Sequence, residues 1–332
     1  LGPGSEVLGY DTALSTDHDW GPRLFLFLTE PNHAAHAARI EAALQDALPH
    51  TFYGFPTRWR RSHEEPNAPE VHRIEINTVR GFFTAYLGFD PTGGPRVVDW
   101  LITPEQTLLE LTAGAVYHDG TGELTATRAR LAYFPHDLWL YLMAAQWGRM
   151  AQQEAFMGRA GEVGDELGSM LIAASIVRDL MRLCFLIERR YAPYGKWFGT
   201  AFARLSCGPA LGPLFDRTLQ ADRWREREAR LAESYAAVTT LHNQFGLTPP
   251  VQTTVSPYYN RPYLVIHADR IVDTLRAAIQ DPAVRALPWC GAVDQLSDST
   301  DFLGSAGVRA HLRPLYEGRE QAIMPDRGKE PG

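Results

Sequence analysis

The sequence predicts an α+β protein: a small α/β domain with a mixed sheet over residues 1–103, then a mostly helical body. Three observations predict this. The apolar run Leu24-Phe25-Leu26-Phe27-Leu28 follows a turn-rich segment, as a buried strand does. The stretch His72-Arg73-Ile74-Glu75-Ile76-Asn77-Thr78-Val79 alternates polar and apolar residues, the period of a half-buried strand. From Pro104 onward, apolar residues recur at helical spacing.

Taken in order, 34–48 reads as a helix closed by Pro49, 91–95 as a turn-rich break, and 96–102 as a short strand or a bend. Helices are expected over 104–111, 137–157, 162–190 and 219–245, with the alternating charges of 223–230 on a solvated face. The Pro-, Thr- and Tyr-rich stretch 249–262 reads as a linker or packed loop, 267–279 as a helix, and the polar tail from Pro325 as frayed. No internal repeat is visible. These elements divide the chain into 1–103, a helical domain over 104–248, and a helical and loop extension over 249–332 packed on the helical domain.

The composition narrows the function classes. Across 332 residues the net charge is −7, which argues against a whole-surface grip on nucleic acid, since such binding needs a basic face. No run of 18 apolar residues occurs, so no membrane span is expected. Cys184, Cys207 and Cys290 are far apart and form no CxxC pair, so neither a zinc cluster nor a disulfide framework is expected, and a reducing cytoplasm is the simpler location. The chain opens at Leu1 almost inside a motif, which implies native residues ahead of it. Gly2-Pro3-Gly4-Ser5 also reads as a cloning remnant, but the intact run from Gly4 to Asp19 favours the motif.

Within that run, Gly4-Ser5 offers a tight turn of little bulk whose N–H groups can approach phosphate oxygens closely. Twelve positions after Ser5 stands Asp17, with Asp19 two further on. On a strand, positions i and i+2 share a face, and two carboxylates there need a cation between them. Oxygen ligands suit a hard ion such as magnesium. With a third carboxylate, such a pair can hold two metals about 3.5–4 Å apart. Glu75 is the first choice for that third acid and Asp99 the rival. His18 should point away from the metal, as a hydrogen-bonded neighbour.

Gly-Ser followed a dozen residues later by Asp-x-Asp resembles the signature of the nucleotidyltransferase (DNA polymerase β-like) superfamily, with the closest likeness to bacterial antibiotic adenylyltransferases of the streptomycin/spectinomycin type. The chain is also similar to an uncharacterised bacterial family with the same domain pairing. The resemblance implies transfer of a nucleoside monophosphate, AMP from ATP, to a hydroxyl of a small-molecule acceptor such as an aminoglycoside, with nucleotide held between the domains by Gly4, Ser5 and Lys196. It implies magnesium on Asp17 and Asp19. It further implies that Glu75, in Ile74-Glu75-Ile76-Asn77-Thr78, is the base on the acceptor, and that Trp100, in Asp99-Trp100-Leu101, lies near it. Two features depart from the pattern: the Ser5 to Asp17 spacing is one residue longer than the commonest form, and Pro22 cannot donate to a sheet ladder.

Plainer readings stand beside these. Glu75 also suits a solvent-facing strand position, Trp100 a core position and Lys196 the surface. Glu154, Glu162 and Glu166 suit either a pocket for a cationic substrate or solvated helix faces. Asp294, Asp298 and Asp301 suit helix capping. No GxxxxGK[ST], GxGxxG or GxSxG is present. The alternative functions are an adenylyltransferase acting on a protein partner, as antitoxin-like enzymes do, and a degenerate nucleotide-binding protein.

Overall fold

A computed structural model of the chain describes residues 1–16, 22–59 and 70–318. A short helix α1 (Ser5–Leu8) precedes strand β1 (Leu24–Phe27) and helix α2 (Glu30–Ala47). Helix α2 begins ahead of residue 34 because Thr29 caps it, its side chain accepting from the Asn32 N–H. Pro31 sits in the first turn, where its missing N–H is not needed.

Four short strands follow: β2 (Thr51–Phe52) pairs with β3 (Phe55–Pro56), and β4 (Arg58–Trp59) with β5 (Val71–His72), both antiparallel. Strand β6 (Ile74–Asn77) runs parallel to β1, with Phe25 opposite Glu75 and Phe27 opposite Asn77. Among the described residues every sheet has two strands. Both strand directions nevertheless meet along 71–77, antiparallel to β4 at its start and parallel to β1 at its end, with the change at Arg73. Helix α3 (Val79–Leu87), capped by Thr78, places Phe82 against Phe25 and Phe27, ring centroids 4.9 and 5.4 Å away.

Segment 96–102 is helical rather than a strand or bend. Helix α4 (Val97–Leu101) forms because the Asp99 carboxylate turns back to accept the Arg96 N–H at 2.9 Å, closing the first turn. Helices α5 (Glu105–Thr112) and α6 (Glu123–Arg130) follow. The expected helix 137–157 is α7 (His136–Gln153). The expected 162–190 is two helices, α8 (Phe156–Glu162) and α9 (Glu166–Ile187): Gly164 takes φ +86°, and Asp165 restarts the helix by accepting from the Gly168 N–H.

After α10 (Gly195–Ala203), the expected 219–245 is likewise split into α11 (Gly208–Gln220) and α12 (Trp224–Gln244). The stretch read as a linker folds into a hairpin, β7 (Ser256–Tyr258) with β8 (Arg261–Val265), turning at Tyr259 with φ +50°. Helix α13 (Ala268–Ala278) comes next, and short helical turns complete the described chain.

These elements form two compact units, Leu1–Pro95 with Glu110–Ala132, and Arg96–Leu109 with Tyr133–Gly332. The first unit's core gathers around Phe82, Phe83 and Leu87. The second packs α7, α9, α12 and α13 around Trp147, Leu180, Tyr235 and Ile271. All three cysteines are free thiols. No helix among the described residues is long and apolar enough to cross a membrane.

Buried carboxylates fix the irregular parts of the second unit. Glu154 accepts from the Ile266 and His267 N–H groups at 3.0 and 3.1 Å, holding the hairpin's exit against α7. Burial outweighs those donors and pushes Glu154 from 4.5 up to about 7. The folded chain therefore binds this proton more tightly than the unfolded chain. The resulting stability is present below 4.5 and is lost as pH rises through about 7. Glu154→Gln keeps an oxygen for both N–H groups and removes the titration. The melting temperature of Glu154→Gln relative to the parent should rise from pH 4.5 to 7 and level off above. Buried His242, lowered to about 4, has the opposite pH dependence but cancels in the comparison. A difference that stays flat with pH would exclude this role for Glu154.

Candidate functional site

The Gly-Ser turn is held by one side chain. Arg23, just ahead of β1, donates to the Pro3 carbonyl and pairs with the Glu6 carboxylate at 2.6 Å. Gly4 has φ +145°, and a Cβ there would overlap both the Arg23 guanidinium and the Glu6 carboxylate. Only glycine suits that position. The Ser5 carbonyl accepts the N–H groups of Gly9 and Tyr10, which closes α1. The Ser5 hydroxyl makes no hydrogen bond among the described residues, so it stays available to a ligand.

Partners in a parallel pair point to the same face, so Glu75 stands beside Phe25 on the face that carries Phe82. Gly2 lies on that face too, since a Cβ on it would touch the Phe25 ring at 3.1 Å. Tyr86 packs on Phe82, and burial, then the Glu75 and Glu110 carboxylates, hold its phenol above the ordinary range. Glu75 is exposed and makes no ion pair among the described residues, so its oxygens suit a hard cation or an acceptor hydroxyl. Among the described residues no three His, Cys, Asp or Glu side chains gather as a metal group. Asp17, His18 and Asp19, with their expected metal role, lie outside the described residues.

A cavity of about 700 Å³ adjoins the turn within the first unit. Its walls are Glu6 and Val7 of α1, the whole of β1, and the segment from Gly114 to Thr121 with Tyr117, His118 and Asp119. That volume falls in the range of small-molecule sites, about 300–1,000 Å³. Sequence reasoning missed Arg23 and this wall. The available signals were an arginine directly ahead of an apolar run and the glycine-rich run from Gly114 to Gly122.

The remaining candidates lie in the second unit. Trp100 is 3% exposed and packs edge-to-face on Phe134, a core position. Asp99, the rival third acid, is buried between Arg96 at 3.2 Å and Arg313 at 2.7 Å; despite its burial, those partners hold its carboxyl below the ordinary range. It is committed to structure. Lys196 is exposed at the start of α10, its ammonium 5.5 Å from the Trp197 ring centroid.

Glu154, Glu162 and Glu166 are engaged by the hairpin's exit, the Tyr263 hydroxyl and Arg227 respectively, so they hold elements together instead of facing a cationic ligand. Asp294 accepts the Glu105 N–H at 2.9 Å at the start of α5, Asp298 pairs with Arg178 at 2.8 Å, and Asp301 lies in the first turn of the helix Thr300–Gly304.

Residues 100–198 match a family model described as a domain of unknown function (DUF4037). No curated protein and no solved structure matches the chain.

The geometry of the turn sets its sensitivity. Gly122 also has positive φ, +72°, but a Cβ there would meet nothing. Gly4→Ala should lower the denaturant midpoint by the equivalent of about 1–3 kcal/mol, and by more than Gly122→Ala does. Equal losses would mean that the Arg23 contact does not constrain Gly4.

Proposed function

We propose that the first unit is a magnesium-dependent nucleotidyltransferase that moves AMP from ATP to a hydroxyl of a small-molecule acceptor. One observation carries the reading. Arg23 ties the Gly4-Ser5 turn to the start of β1, and the parallel partner of β1 presents Glu75, 70 positions beyond Ser5, on the face that Gly2 also covers. Asp17 and Asp19 fall in the chain between that turn and β1. That Gly4, Ser5 and Glu75 belong to one unit, which also holds a cavity of about 700 Å³ next to α1, supports the reading.

In this reading the Ser5 hydroxyl and the N–H groups of the turn hold phosphate oxygens. Glu75 takes the proton of the acceptor hydroxyl as its oxygen bonds to the α-phosphorus, and the bond to pyrophosphate breaks. Magnesium held by Asp17 and Asp19 would supply charge neutralisation of the triphosphate. The Arg23–Glu6 pair keeps the turn in place so that positioning, rather than covalent chemistry, provides the acceleration.

Thermal denaturation with ATP, in the presence and absence of magnesium, tests the donor side. The parent should be stabilised only when both are present, and Asp17→Asn and Asp19→Asn should lose that shift while melting normally without ligand. Glu75→Gln should keep the shift and lower pyrophosphate release by about 100-fold or more once an acceptor is supplied. A parent that ATP and magnesium together leave unshifted would overturn the proposal.

A further inference from the structure

Among the described residues, β6 is the one strand that pairs with β1, and it takes one edge. The N–H groups of Leu24 and Leu28 donate to the carbonyls of Arg73 and Asn77 on the β6 side. With this parallel register, Leu24, Leu26 and Leu28 direct their main-chain groups toward β6, and Phe25 and Phe27 direct theirs to the opposite edge. Among the described residues no strand pairs with that edge, and both phenylalanines line the cavity of about 700 Å³. On that edge two cavity-lining residues present a fixed row of main-chain groups: Phe25 N–H, Phe25 C=O, Phe27 N–H, Phe27 C=O. Tyr117, 89% exposed, lines the same cavity and offers a bare aromatic ring.

We infer that this edge is the base subsite of the proposed nucleotide site, and that it selects adenine. The 6-amino group of adenine donates to the Phe25 carbonyl, the Phe27 N–H donates to N1, and the C2–H faces the Phe27 carbonyl, a weak but favourable contact. Guanine, matched to the same central pair, turns its 2-amino donor against the Phe25 N–H. Cytosine turns its 2-carbonyl against the Phe27 carbonyl. Each mismatch leaves desolvated polar groups facing their own kind. Uracil matches the row but presents the smaller ring to Tyr117, and stacking grows with ring area.

An extended peptide added as a strand is the competing occupant. The edge gives it only two residues, because β1 ends at Phe27 and α2 begins at Glu30. The short edge fits a base.

The inference rests on the nucleotidyltransferase reading, and the experiment separates the two. Binding to the full chain is measured with magnesium for ATP, GTP, CTP, UTP, 7-deaza-ATP and 1-methyl-ATP, and main-chain amide exchange is followed at Phe27. ATP and 7-deaza-ATP should bind alike. GTP, CTP and 1-methyl-ATP should bind about tenfold or more weakly, the equivalent of one lost hydrogen bond or more. Exchange at Phe27 should slow by about tenfold when ATP is bound.

Phe27→Pro removes the donor without breaking the β6 ladder, because that N–H points away from it. Phe27→Ala removes the same ring and keeps the donor. ATP should bind Phe27→Pro about tenfold more weakly than Phe27→Ala.

If no nucleotide binds, the functional reading falls and takes this subsite with it. If ATP binds but 1-methyl-ATP binds equally and Phe27 exchanges at an unchanged rate, the edge is not the base subsite and the functional reading survives. Tighter binding of UTP or GTP than of ATP overturns the selection of adenine. If Phe27→Pro fails to fold, the analogue series and the exchange rate on the parent chain still decide.

Discussion

The Arg23 guanidinium is the contact on which the first unit's candidate site depends. It accomplishes two things at once: it satisfies the Pro3 carbonyl, and it neutralises Glu6 at the start of a helix only four residues long. A helix that short has no stability of its own. Without an external tie, Gly2 to Gly9 would be one more flexible lead-in. The tie also explains the glycine at position 4, since the guanidinium and the carboxylate occupy the space where a side chain would go. A turn fixed in this manner can keep its N–H groups and the Ser5 hydroxyl oriented before any ligand arrives, which reduces the ordering cost of binding.

The second unit solves a different problem. Its chain is irregular between the helices, and backbone groups there need partners wherever helices and strands do not supply them. Carboxylates provide many of these. Glu105 accepts the Ala192 N–H at 2.8 Å, Asp294 accepts the Glu105 N–H, and Arg182 lies 3.3 Å from Glu105. Burial, with Asp294 beside it, holds the Glu105 carboxyl above the ordinary range. Fully enclosed Arg227 reaches Ser169, the Ala221 carbonyl and Glu166. Such groups cost desolvation, and they restrict each loop to the one conformation that satisfies them.

How far this was legible in the sequence follows from the range of the interactions. β1, β6, α7 and α13 were readable because their patterns are local and long enough to show a period. The breaks within 162–190 and 219–245 were less so: an isolated Gly164 is compatible with a helix until Asp165 is seen capping a new one, and nothing between Ala221 and Arg223 signals a stop. Segment 96–102 looked extended because Val97 and Val98 favour strands, and the Asp99 bond back to the Arg96 N–H decided for helix. The hairpin at 256–265 was hidden by two prolines, Pro257 and Pro262, in strands short enough to tolerate them. Within the candidate site, Gly4 and Ser5 could be nominated from spacing, and Glu75 from the strand pattern around it. Arg23 and Tyr117 could not, since their importance comes from where the chain returns in space.

Chirality links the two halves of the proposed chemistry. In a strand of L-residues, the side on which a side chain projects fixes the edge toward which its own N–H and C=O point. Phe25 and Phe27 turn their rings to Phe82, so their main-chain groups must face the cavity edge, and the leucines between them must bond β6. The same packing that builds the core around Phe82 therefore determines which carbonyls and amides a ligand can meet. A one-residue slip of β1 against β6 would reverse both together, burying leucines against Phe82 and shifting every free donor by a position. Recognition by main-chain groups also leaves the side chains of that strand free to pack. A strand with only four residues, Leu24 to Phe27, can in this way serve as both core and binding edge.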